Sequence, residues 1–61
     1  MANLTSKEAM VLGEQLGNEK MLVNKSRAMA SQCTDMALRM KLESIASIHQ
    51  KHYDKMVSYL N

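Results

Sequence analysis

The chain has 61 residues, a net charge of +2 and one cysteine, and these properties exclude several classes of protein. A chain this short forms one small domain, predicted over residues 1–61, and buries only about 60% of its unfolded surface, so association with another chain is expected. Cys33 alone cannot form an internal disulfide, and a lone thiol without a secretory leader predicts synthesis in the reducing cytoplasm. The mild basic excess, with almost no aromatic residues, argues against nucleic-acid binding. The chain has no run of about 18 apolar residues, so no membrane-spanning helix is expected.

A capping pattern marks the start of the first predicted helix. Thr5 offers a hydroxyl at the cap and Glu8 a carboxylate three residues later, which is a capping box. The helix is therefore predicted over about residues 6–32. Gly13 and Gly17 lie inside it, and their spacing of four residues fits either close contact with a neighbouring helix or a solvated face.

A short turn, predicted at about residues 33–35, separates this helix from a second one over about residues 36–59. Thr34 or Asp35 caps the second helix. Connections of about two to five residues join antiparallel helices, and the absence of proline favours uninterrupted ones. The predicted fold is therefore an all-α antiparallel helical hairpin. Cys33 is interpreted as a small apolar residue near the turn, because no catalytic signature surrounds it.

Apolar residues recur at spacings of three and four on both predicted helices, as in nearly antiparallel helices packed in a bundle. The predicted seam of the first helix consists of Ala9, Leu12, Leu16, Glu19, Val23, Ser26, Ala30 and Cys33. The predicted seam of the second consists of Leu38, Leu42, Ile45, His49, His52, Met56 and Tyr59. Folding the chain at residue 34 pairs positions whose numbers add to about 68, so Glu19 faces His49, Leu16 faces His52 and Val23 faces Ile45. Because each apolar stripe is wider than one hairpin covers, two hairpins are predicted to pair as a homodimeric four-helix bundle.

Three ionisable residues interrupt these seams: Glu19 on the first helix, and His49 and His52 on the second. Burying a carboxylate and two imidazoles is costly unless they pair with each other, a metal or water. Histidines three residues apart can share one metal ion, and Glu19 would complete a His2Glu set compatible with zinc or iron. The alternative, which the sequence favours, is a polar layer with a hydrogen bond between Glu19 and His49 and no metal. An exposed proton-binding site is a third interpretation.

Four stretches spread over nearly the whole chain resemble the CotF-like spore coat protein family: Leu4-Thr5-Ser6-Lys7-Glu8, Asn18-Glu19-Lys20-Met21-Leu22-Val23, Gln32-Cys33-Thr34-Asp35 and Ile48-His49-Gln50-Lys51-His52-Tyr53. The resemblance implies a ferritin-like helical fold and association with the endospore coat of spore-forming Firmicutes during sporulation. It implies no known catalytic reaction. Other coat proteins are the expected partners, and three residues off the predicted seam are candidates for contacting them: Met10, Met21 and Lys25.

The ferritin-like resemblance also bears on the three ionisable residues. Ferritin-like di-iron proteins use Glu on one helix and Glu-x-x-His on the next. Glu19 fills the first role and His52 the last, but His49 stands where the second glutamate is needed. A di-iron oxidase site is therefore not expected, and the predicted function is that of a non-enzymatic structural or assembly protein of the spore coat type. The alternative is a small ferritin-like protein that binds a metal through Glu19, His49 and His52.

Overall fold

A computed structural model describes residues 3–60, and they form the predicted helical hairpin. Helix α1 spans Ser6–Gln32 and helix α2 spans Met36–Ser58. The two helices pack against each other along a rod of 45 × 15 × 10 Å. The second helix ends one residue before the end expected from the sequence. The first two residues and the last residue of the predicted 1–61 domain lie outside the described residues.

The start of α1 is fixed by the capping box that the sequence predicted. The Thr5 hydroxyl oxygen accepts a hydrogen bond from the Glu8 backbone N–H at 3.1 Å. The Glu8 carboxylate accepts one from the Thr5 backbone N–H at 2.9 Å. The hydrogen bond from the Thr5 backbone N–H, and then the interaction of the Thr5 hydroxyl with the same carboxylate, hold the pKa of the Glu8 side chain below its ordinary value. Two backbone donors that the first helical turn leaves unpaired are thus satisfied.

The turn is held by two side chains at the start of α2. Of the two predicted caps, Asp35 is the one at the N-cap of α2, and its carboxylate accepts from the Leu38 backbone N–H at 2.9 Å. The Arg39 guanidinium donates to the Cys33 carbonyl oxygen at 2.8 Å. A carbonyl at the end of α1 is therefore paired with the first turn of α2, which restricts how the chain reverses.

The core between the helices is small and built from small side chains. Among the described residues, Val23 is completely buried, and Ser26, Ala30 and Ala46 are nearly so. Small side chains at a helix crossing let the two axes approach closely. The α1 side of this core follows the predicted seam from Leu12 onward, because Leu12, Leu16, Glu19 and Cys33 are half-buried next to the buried residues. Ala9, which was also predicted in the seam, is exposed near the start of the helix.

The packed side of α2 is rotated from the predicted one. Leu38, Ile45, His52 and Tyr59, which the sequence analysis assigned to the seam, are all exposed. Ile45 was predicted to face Val23, yet 42% of it is exposed. Ala46 is buried instead. Seven further residues of α2 are half-buried: Arg39, Leu42, His49, Gln50, Tyr53, Met56 and Val57. The prediction was wrong at those positions because a small residue, rather than the isoleucine beside it, matches Ser26 and Ala30 across the interface.

The rotation leaves large apolar side chains uncovered along one side of the hairpin. We call this surface the apolar face and define it by six exposed residues: Val11, Leu22, Met29, Leu38, Ile45 and Tyr59. On α2, successive members of this face are 7 and 14 residues apart, and on α1 they are 11 and 7 residues apart. These spacings are nearly whole numbers of helical turns, so the members of each helix lie on one side of it. Val11 and Tyr59 line one groove together with Leu4, so the two rows lie on the same side.

The opposite side of the hairpin is polar. Arg27, Arg39, Glu43 and Lys51 line a shallow depression over Ala30 and Ala46. A Cβ added to Gly13 or Gly17 would meet no atom within 4 Å, so within this hairpin the two glycines make no close helix contact. Neither described helix combines the length and the apolar character needed to cross a membrane.

Candidate functional site

The fold brings together the three ionisable residues that interrupt the predicted seams. Nδ1 of His49 lies 2.6 Å from Oε2 of Glu19, and Nδ1 of His52 lies 3.3 Å from Oε1 of the same carboxylate. The turn at residues 33–35 sets this register, because it places Glu19 and His49 at similar distances along the two helices. His52 was expected opposite Leu16. It reaches Glu19 because it lies one helical turn beyond His49 on the same side of α2.

The solvent exposure of the three side chains increases from Glu19 to His49 to His52. The Glu19 side chain is 15% exposed, that of His49 is 23% exposed and that of His52 is 55% exposed. The two imidazole rings meet edge to face, with centroids 5.6 Å apart and planes at 84°. His49 is therefore fixed between the helices, whereas His52 closes the cluster from outside.

Hydrogen bonding decides the protonation of the central carboxylate. Burial raises the pKa of Glu19, but the hydrogen bonds and charges of His49 and His52 outweigh it, so the pKa lies below the ordinary value. Glu19 is thus an anion at neutral pH. Among the described residues, every buried polar side-chain atom has a hydrogen-bond partner. A polar layer made only of these residues is therefore satisfied.

The same three side chains have the composition of a metal site. Glu19, His49 and His52 each offer one ligand atom, and these atoms lie within 4.8 Å of one another. Metal–ligand distances near 2.0–2.2 Å separate the ligands of a tetrahedral zinc ion by roughly 3.3 Å. The donor set is two imidazole nitrogens and one carboxylate oxygen, which suits zinc, copper, nickel or ferrous iron. The cluster contains a single carboxylate, so one hairpin does not provide the acidic donor set of a di-iron centre.

Cys33, which the sequence analysis interpreted as a small apolar residue near the turn, lies at the turn and outside this cluster. It is half-buried, and its thiol is 3.4 Å from the backbone oxygen of Asp35. A different feature was missed: the Lys20 ammonium lies 5.5 Å from the centre of the Tyr53 ring, next in sequence to Glu19 and His52. Such cation–π contacts add a modest attraction between helices. The contact follows from the rotation of α2, which turns Tyr53 toward α1.

Comparison with known proteins adds one similarity. No family model matches the chain, and no solved structure matches it. The chain is 26% identical over 57 residues to the "Uncharacterized protein YuzM" of Bacillus subtilis (strain 168), and the match covers 93% of this chain and 70% of that protein. The similarity therefore extends over both helices and the turn.

Proposed function

We propose that this chain is a non-enzymatic structural and assembly subunit of the spore coat type, whose hairpins pair as a homodimeric, ferritin-like four-helix bundle. The observation that carries the proposal is the apolar face. Its six large side chains have no covering element within the described hairpin. Contiguous apolar surface of this kind is usual where another protein docks.

The exposed area agrees with one missing neighbour of similar size. The chain exposes 4720 Å². A compact monomer of its mass, 6.9 kDa, would expose about 4000 Å². The excess of roughly 700 Å² is close to the ~800 Å² that each partner buries in an ordinary protein interface.

A second copy of the chain suits this face better than a charged partner. The row of α2 reads Leu38, Ile45, His52 and Tyr59, and the row of α1 reads Val11, Leu22 and Met29. The six residues that define the apolar face include no lysine, arginine, aspartate or glutamate, and Lys25 lies at the edge of the face, one turn from Leu22 and from Met29. Two such faces can therefore meet around a twofold axis without burying like charges, and helix pairs packed in this way form a four-helix bundle.

The outer side of α1 would stay free in such a dimer. Met10 and Met21 are 61% and 46% exposed, and Lys25 is exposed beside them. They lie on the side of α1 turned away from α2. We propose this outer side as the contact for other coat proteins. The assignment to the spore coat itself comes from the resemblance to the CotF-like family.

We propose that the chain does not catalyse iron oxidation, because the cluster of Glu19, His49 and His52 has the wrong set of donor groups. Two copies of the cluster supply two carboxylates and four imidazoles, whereas the ferritin-like di-iron proteins use four carboxylates and two imidazoles. We therefore expect no appreciable oxidation of ferrous ion. Catalytic iron oxidation that disappears in Glu19→Ala would contradict this part of the proposal.

Localisation in a sporulating cell tests the coat role. A fluorescent fusion of the full chain is expected to gather at the forespore coat and to remain in purified coats. The double variant Met10→Lys/Met21→Lys is expected to stay dimeric in solution but to lose recruitment, because the exposed apolar contacts are replaced by charge. A matched control places two lysines on the polar side, as in Ser31→Lys/Ser47→Lys. A wild-type fusion that stays diffuse and is missing from purified coats would refute the proposal.

A further inference from the structure

We propose that Glu19, His49 and His52 bind one divalent transition-metal ion of the zinc class per chain. The site goes beyond the coat role and holds or fails independently of it. It consists of two nitrogen donors from α2 and one oxygen donor from α1, so a bound ion would link the two helices directly.

The convergence of donors is the first argument. The chain contains two histidines, and both present Nδ1 to the same carboxylate across 30 and 33 residues of sequence. A polar layer between helices needs only His49 to satisfy Glu19. In the unpaired hairpin, His52 is more than half exposed and gains little from pairing in solvent. A ligand role explains why it nevertheless closes on the carboxylate.

The spacing of the donor atoms is the second argument. A tetrahedral zinc ion needs ligand atoms roughly 3.3 Å apart. The contact between His52 and Glu19 already has a length of 3.3 Å, and the contact between His49 and Glu19 at 2.6 Å must open slightly. All three donor atoms lie within 4.8 Å of one another, so side-chain rotation alone can close the set. In the unpaired hairpin, the exposed position of His52 gives an ion access from solvent.

The donor chemistry selects the class of ion. Imidazole nitrogen favours zinc, cobalt, nickel, copper and ferrous iron, whereas calcium and magnesium require six or more oxygen ligands. Three protein ligands leave at least one coordination position for water. An ion that binds only the folded hairpin must also stabilise it against unfolding.

Zinc binding to the untagged full chain tests the site. Isothermal titration is expected to show one Zn²⁺ per chain and a metal-linked rise in melting temperature, and Co²⁺ is expected to give the visible absorption of nitrogen and oxygen coordination. His52→Ala and Glu19→Gln are expected to weaken binding by more than the roughly 10- to 100-fold typical of losing an outer-shell partner of a metal site. Two controls should bind as the wild type does: Glu43→Gln, which removes an exposed carboxylate elsewhere on α2, and Cys33→Ser.

Three results would overturn the proposal. One is the absence of one-to-one Zn²⁺ binding by the folded wild type. Another is equal affinity in the wild type and in His52→Ala, because this exposed position tolerates alanine in a helix and circular dichroism can verify that the variant folds. The third is binding that Cys33→Ser abolishes, which would place the ion on the thiol. The localisation experiment is unaffected by any of them.

Discussion

Replacing Ile45 by lysine should weaken the dimer strongly, whereas the same change at Ile48 should not. The two residues are matched in type, helix and exposure, with Ile45 42% exposed and Ile48 50% exposed. Ile45 belongs to the apolar face. Ile48 lies outside its row, farther round α2 from α1. Both substitutions add one positive charge and have similar intrinsic effects on helix stability, so their difference reports the interface.

The size of the effect follows from the area left exposed. Full burial of an isoleucine side chain contributes about 1.5–3 kcal/mol. If a second copy covers the exposed 42% of Ile45, each chain gains about 0.6–1.3 kcal/mol on pairing. A homodimer contains the residue twice, so losing it costs roughly 1–2.5 kcal/mol, or about 5- to 60-fold in the dissociation constant. Desolvation of the lysine ammonium adds to this loss.

Sedimentation equilibrium over a range of concentrations measures the dimer dissociation constants of the wild type, Ile45→Lys and Ile48→Lys directly. We expect Ile45→Lys to raise the dissociation constant of the dimer at least about 5-fold, and Ile48→Lys to have the dissociation constant of the wild type. Equal weakening by both variants, or unchanged association in Ile45→Lys, would show that the apolar face is not the interface.

Three further changes test the helices, the core and the acidic groups. Val23→Ala should lower the free energy of unfolding by about 2 kcal/mol, because Val23 is completely buried and loses two methyl groups. Urea titration measures this change, and a loss near zero would contradict the assignment of Val23 to the core. Thr5→Ala should cost about 1 kcal/mol through loss of the α1 cap, and an unchanged urea midpoint would show that the cap contributes nothing. Glu8 and Glu19 have pKa values below the ordinary 4.5 in the folded chain, so their stabilisation is complete above that pH and is lost as the pH falls through the folded values. Acid titration of the melting temperature should therefore be less steep below pH 4.5 in Glu8→Gln/Glu19→Gln, and identical slopes would contradict this linkage.

Local signals predicted the helix ends because the interactions that fix them are local. The capping box at Thr5 and Glu8 and the cap at Asp35 involve residues three positions apart, and the structure contains both. The turn position then determined the register between the helices. This is why Glu19 and His49 were expected to meet and why they do meet.

The packed side of α2 was not predictable in the same way. That helix carries two adjacent apolar rows, one through Ile45 and one through Ala46, and periodicity alone does not distinguish them. Close packing against Ser26 and Ala30 selects the row with alanine, and this choice depends on the shape of the other helix. The same rotation moves His52 from the predicted seam to the surface, so the exposure of the cluster also depended on tertiary packing.

Light scattering of the purified, untagged chain at micromolar concentration tests the central proposal of self-association most directly. We expect a folded, helical species with twice the chain mass of 6.9 kDa. A stable, fully helical monomer at that concentration would contradict it.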